Sequence, residues 1–242
     1  MKYFFYWTVA ISLVGWSWTT LYVFSYGHVY GGMDESLNKA VQQKKSDLIE
    51  LAAMEERGAP LANVFDQQLK LSMEYAEGKD YDGARKMLHQ ADEALLKLPE
   101  TSENFVRRLR IAELVAHTYM DQGLYGEARS SLDHASDLAK DLQTKYFSED
   151  GRLFSLVIAN ERGVLNYLEA NCTLDGKERA ATFASCQTAF EKLLAEINSL
   201  EAEPKKLSED AKKRLARMKS HVQTNLNQVK EDIAHEGEFQ RT

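Results

Sequence analysis

The sequence predicts an all-α chain: a single N-terminal transmembrane helix, then an α-solenoid of antiparallel helix pairs, closed by a C-terminal capping helix. Three observations carry that prediction. First, SMEYAEGKDYDGARKML from Ser72 and AHTYMDQGLYGEARSSL from Ala116 overlay without a gap at a spacing of 44 residues. Tyr75 falls on Tyr119, Tyr81 on Tyr125, Ala84 on Ala128, Arg85 on Arg129 and Leu88 on Leu132. Self-similarity at a fixed period is the signature of a repeat architecture, in which each unit buries its apolar face on the next. Second, residues 3–33 contain no Asp, Glu, Lys or Arg. Third, the chain of 242 residues has only three prolines, Pro60, Pro99 and Pro204, and each stands where a helical pattern pauses. The stretches between them are rich in Ala, Leu, Glu, Lys and Gln, which favour helix.

Residues 1–32 are read as the membrane anchor. About 20 apolar residues in helix suffice to cross the hydrocarbon core, and the run over residues 3–26 exceeds that. A cleavable signal peptide would want a shorter apolar region and a small-residue cleavage site, which SYGHVYGG offers poorly. Aromatic residues crowd both ends (Tyr3 to Trp7, then Tyr22, Phe24, Tyr26 and Tyr30), as expected among lipid headgroups.

Residues 33–58 form a linking first helix, capped at Asp34, with Leu37, Val41, Leu48 and Leu51 on one face. Residues 59–145 hold two helix pairs. Pro60 opens a helix carrying Val64, Phe65, Leu69, Leu71 and Tyr75; Gly78, Lys79 and Asp80 turn the chain; Tyr81 to about Leu98 returns. The second pair runs from a cap at Thr101 or Ser102 to Gln122, turns at Gly123 and returns from Tyr125 to about Lys145.

The second copy resembles the tetratricopeptide repeat family, with small Ala116 where helices meet, then Tyr119, Gly123, Tyr125, Ala128, Leu132 and Ala135. In the first copy Ser72, Tyr75, Tyr81, Ala84, Leu88 and Ala91 match, while Lys79 replaces the turn glycine and Gly78 lies one place early. Small residues let helices approach closely, and aromatic residues fill the space between pairs. The resemblance spans residues 61–142, and the period of 44 against the family's usual ~34 implies longer helices.

Residues 146–203 read as a third, degenerate pair joined by CTLDG. Gly163, Tyr167, Ala184 and Phe190 have fitting chemistry but no fixed register. Residues 204–242 follow with an amphipathic helix capped by Ser208, in which Ala211, Leu215, Met218, Val222, Leu226, Val229 and Ile233 recur at three and four. Such a stripe either shields the open end of the repeats or pairs with another chain as a coiled coil; capping is the reading adopted.

Charge and motifs then narrow the function. The part after Met33 carries a formal net charge of −8 (−7 overall, less the +1 of Lys2), which argues against a nucleic-acid surface. No H-E-x-x-H, C-x-x-C, phosphate-binding glycine loop or nucleophile elbow occurs. The histidines (His28, His89, His117, His134, His221, His235) are scattered. No catalytic residue, metal or cofactor is therefore expected.

Binding remains. The resemblance implies a concave groove lined by the first helix of each pair. It would present Asp66, Leu69, Met73, Ala76 and Glu77 from the first copy, and Arg110, Glu113, His117, Met120 and Asp121 from the second. Two methionines and a leucine beside acidic groups suit an amphipathic helix or extended peptide with some positive charge. The lysines and asparagines with which some family members clamp a peptide's carboxylates are absent; Leu69, Glu113, Met73 and His117 stand there instead.

The expected function is a membrane-anchored, non-enzymatic scaffold for protein–protein interaction within a membrane or cell-envelope complex. The alternatives are an accessory subunit held through its aromatic membrane helix and, least favoured, an enzyme with unfamiliar parts. Lys39, Lys44 and Lys45 oppose Lys2 in setting topology, and a short N-terminal tail favours a signal anchor with the repeats outside the cytoplasm. In an oxidising compartment Cys172 and Cys186 can close a loop; the other reading is two thiols on facing helices.

Overall fold

A computed structural model of the chain describes residues 33–146, 149–202 and 207–239, with the backbone alone at 33–41 and 236–239. The described residues form α1 (Met33–Glu56), α2 (Leu61–Glu77), α3 (Tyr81–Leu96), α4 (Ser102–Gln122), α5 (Tyr125–Tyr146), α6 (Glu149–Cys172), α7 (Gly176–Glu201) and α8 (Glu209–Phe239). They divide into two units between Leu98 and Pro99.

One expectation is corrected here. The architecture is all-helical and repeat-like, but the transmembrane helix drops out of the fold class. No helix among the described residues is long and apolar enough to cross a membrane, and residues 3–26, where the span was placed, lie outside them. Even α6, with its apolar run, is interrupted by Arg152, Glu161, Arg162 and Glu169, and it buries its face within its own unit.

The first unit contains α1, α2 and α3. Asp80 caps α3 by accepting from the Gly83 N–H at 3.0 Å, satisfying one of the donors that a helix start leaves without a partner. The turn before it places the Asp80 N–H on the Tyr75 carbonyl at 2.8 Å, with Lys79 at φ 59°. In the second unit the Leu124 N–H reaches the Tyr119 carbonyl at 2.9 Å, with Gly123 at φ 74°. The two turns thus share one hydrogen-bond pattern 44 residues apart. The left-handed position is Lys79 in one and Gly123 in the other, and a side chain there costs energy that glycine does not.

The same correspondence runs through the cores. Ala84, Leu88 and Ala91 in α3, and Ala128, Leu132 and Ala135 in α5, are all buried. Small residues at the closest approach and leucines beside them are what helix packing needs. Fully burying one such leucine stabilises by roughly 1.5–3 kcal/mol. Helix α1 adds Leu48, Leu51 and Met54 to a cluster with Val64, Leu71, Met87 and Tyr75.

In the second unit α4 to α8 follow one another, each packed on its predecessor. Thr101 caps α4 through the Asn104 N–H at 3.2 Å, and Asp175 caps α7 through Lys177 and Glu178. Gly163 fixes the register of the third pair, because a Cβ there would lie 2.6 Å from the ring of buried Phe190. Tyr167 meets Phe183 with ring centroids 5.4 Å apart, whereas Ala184, expected to share the packing, is exposed. The stripe of α8 from Ala211 to Val229 is buried against α7 and α6 within the chain. That is the capping arrangement rather than a free coiled-coil seam. Ser208 bonds the Ala211 N–H and the carboxylate of Glu149, tying the start of α8 to the start of α6.

Candidate functional site

The two groove sets meet different fates. In the first unit α2 turns Asp66, Met73 and Glu77 to solvent and leaves Leu69 and Ala76 half-buried. These residues recur at three and four along one helix and so share a face. Met73 is 43% exposed on a helix whose opposite face is packed.

In the second unit the matching residues of α4 turn inward. Glu113 is 1% exposed and Met120 3%, Arg110 and His117 are half-buried, and only Asp121 is exposed. Met120 belongs to the apolar core. Arg110 Nη1 donates to Glu113 Oε2 at 2.8 Å, and His117 Nε2 lies 3.1 Å from Glu161 Oε2. The His117 contact is an ion pair by distance, not an aligned hydrogen bond, since neither atom completes one. Glu161, 2% exposed, comes from α6 and continues the chain of polar groups. Asn160 Nδ2 donates to its Oε1 at 3.3 Å, and Asn225 Nδ2 of α8 donates to Asn160 Oδ1 at 3.0 Å.

This is an internal polar seam joining α4, α6 and α8. Burial is the largest single influence on His117 and works to lower its pKa, but the charge and close contact of Glu161 together with the charge of Glu113 outweigh it and hold the imidazole above its ordinary value. His221, on α8, is moved the other way by burial, with Glu161 opposing. A buried carboxylate needs such partners, because an unpaired charge in the interior is costly.

A second polar cluster lies in the first unit. Asp47 of α1 is 2% exposed. It accepts from Lys70 Nζ at 2.9 Å and from Gln43 Nε2 at 3.2 Å, and its backbone carbonyl accepts from Gln67 Nε2 at 3.3 Å. Glu74 sits beside it, with Lys70 Nζ 3.9 Å away.

Sequence reasoning missed Asp47, Glu74, Asn160, Glu161 and Asn225. A signal existed only for Asn160 and Glu161, polar residues set inside the apolar run SLVIANERGVL. Cys172 and Cys186 are both free thiols: Cys172 is exposed, with Sγ 3.4 Å from the Tyr125 hydroxyl, and Cys186 is buried in α7. The candidate disulfide is therefore not formed. Among the described residues, no group of three His, Cys, Asp or Glu side chains could hold a metal ion.

No protein-family model matches the chain, the tetratricopeptide repeat included. No curated protein matches it. Among solved structures it is similar to the crystal structure of a de novo designed helical repeat protein, DHR64, at 18% identity, covering 82% of this chain and 97% of that one with a TM-score of 0.32. It is also similar to the DHF58 filament (17% identity, 84% and 99% covered, TM-score 0.32) and the DHF119 filament (16%, 82% and 98%, TM-score 0.31). Filament assembly is a property of those proteins.

Proposed function

We propose that the chain is a non-catalytic helical-repeat scaffold for protein–protein interaction, built on tetratricopeptide-like pairing over residues 61–142. The observation that supports this reading best is the open face of α2. Asp66, Leu69, Met73, Ala76 and Glu77 form a stripe of mixed apolar and acidic character on a helix anchored from behind by buried Val64, Leu71 and Ser72. A rigid helix offering an adaptable methionine between carboxylates suits a partner helix or peptide that is amphipathic and carries some positive charge. The matching stripe on α4 is a poorer surface, because Glu113 and Met120 are already occupied inside the second unit.

Binding anchors are few, and truncating one commonly costs on the order of 1–2 kcal/mol or more. Met73→Lys together with Asp66→Lys is expected to abolish capture of the native partner while leaving helicity and melting unchanged. Retained capture by the folded double variant would contradict this assignment.

A further inference from the structure

The cluster at Asp47 places two carboxyl groups and one ammonium at the junction of α1 with α2. Asp47 is buried and fully engaged with Lys70 and Gln43. Glu74 lies within hydrogen-bonding reach of it, and Glu74 Oε2 is buried with no partner among the heavy atoms around it when the carboxyl is ionised. Lys70 spans the pair, 2.9 Å from Asp47 and 3.9 Å from Glu74, so one positive charge faces two carboxyl groups. The unpartnered oxygen is satisfied if Glu74 carries a proton and donates it to Asp47. Two carboxyls that cannot both ionise freely at short range share a proton.

We infer that the Asp47–Glu74 pair is a proton-operated latch, holding α1 on the first helix pair when Glu74 is protonated and loosening it when Glu74 ionises. The groups facing the pair are few. From α1 they are Asp47 and, at longer range, Glu50; from α2, Lys70 and Glu77. Lys44 of α1 is drawn away to Asp80 at 3.7 Å and to the Tyr75 ring, so it does not neutralise the second carboxylate. Among the described residues, the apolar part of α1's hold is Leu48, Leu51 and Met54, joined by the Gln67 bond to the Asp47 carbonyl and the Lys44 contacts, so an uncompensated charge at its centre acts against few contacts.

The electrostatics agree with the geometry. Burial, followed by the hydrogen bond to Asp47 and its charge, pushes Glu74 up to about 7 from an ordinary 4.5. Because the folded value is raised, the latch contributes fully below pH 4.5 and is lost as pH rises through about 7. On release, the strip of Val64, Leu71 and Met87 that α1 covers is uncovered.

Hydrogen exchange of the full chain at pH 5.5 and pH 8, expressed as protection factors, tests this. Peptides from residues 42–56 are expected to lose on the order of tenfold protection at pH 8 relative to pH 5.5, while peptides of α5 stay unchanged. Glu74→Gln keeps an N–H donor for Asp47 and cannot ionise, so it should keep α1 protected at both pH values. Glu74→Ala should leave α1 loose at both. His89, exposed on α3, is the one histidine among the described residues of this unit and so is the control. The inference is overturned if wild-type α1 protection is the same at both pH values. It is equally overturned if the dependence survives in Glu74→Gln or vanishes in His89→Asn.

Discussion

Lys79 holds the left-handed conformation that Gly123 holds in the equivalent turn. Replacing it removes a steric cost of roughly 1 kcal/mol, partly offset by the greater freedom of glycine in the unfolded chain. Lys79→Gly should therefore stabilise the first unit by a few tenths to about 1 kcal/mol, read from denaturant unfolding. Gly163 and Gly151 predict the opposite sign. A Cβ on Gly163 meets a buried aromatic ring, and one on Gly151 would lie 2.7 Å from the backbone nitrogen of Gln143. Overpacking of this kind costs about 1–3 kcal/mol, more than the helix propensity alanine returns. Gly151→Ala should be the worse, since backbone yields less than a side chain. His117 adds a pH dependence. Its pKa is raised, so the ion pair with Glu161 contributes fully below pH 6.5 and fades as pH rises through the raised value. His221 opposes this in acid. Comparing wild type with His117→Gln across pH 5 to 9 should isolate a loss of stability in the second unit on the alkaline side. Parallel curves would show that the pair is not an ion pair in solution.

At the scale of elements, α8 completes the second unit, and removing residues 208–242 would strip cover from the faces of α6 and α7 on which its stripe from Ala211 to Val229 is buried. It would also remove the partner of the Tyr167 hydroxyl, Asp232. Exposed apolar surface of that extent drives association, so the truncated chain should aggregate and lose protection in α6 and α7. The helices of the first two pairs were legible in the sequence because their signals are local: Gly123, Pro60, Pro99 and alanines at helical spacing. The register of the third pair was not, since it depends on Gly163 meeting Phe190, 27 positions away, and α6 is apolar on too many sides for periodicity to choose a face. The fate of the α4 stripe was hidden for the same reason. Glu113 and His117 look like surface residues until Glu161, Asn160 and Asn225 arrive from α6 and α8. The resemblance assigned both stripes to first helices, but it could not say which of the two would be covered.

For the whole molecule, a mildly acidic chain of helix pairs has polar seams inside and, among the described residues, an open mixed stripe on α2, the surface on which the proposed binding role rests. The most direct measurement is site-specific photo-crosslinking in the native setting, with the reactive residue placed in turn at positions 69, 73, 113 and 120. The account predicts one discrete intermolecular adduct from 69 and 73, lost when Asp66→Lys is added, and none from 113 and 120. Adducts from 113 or 120 with none from 69 and 73 would contradict it.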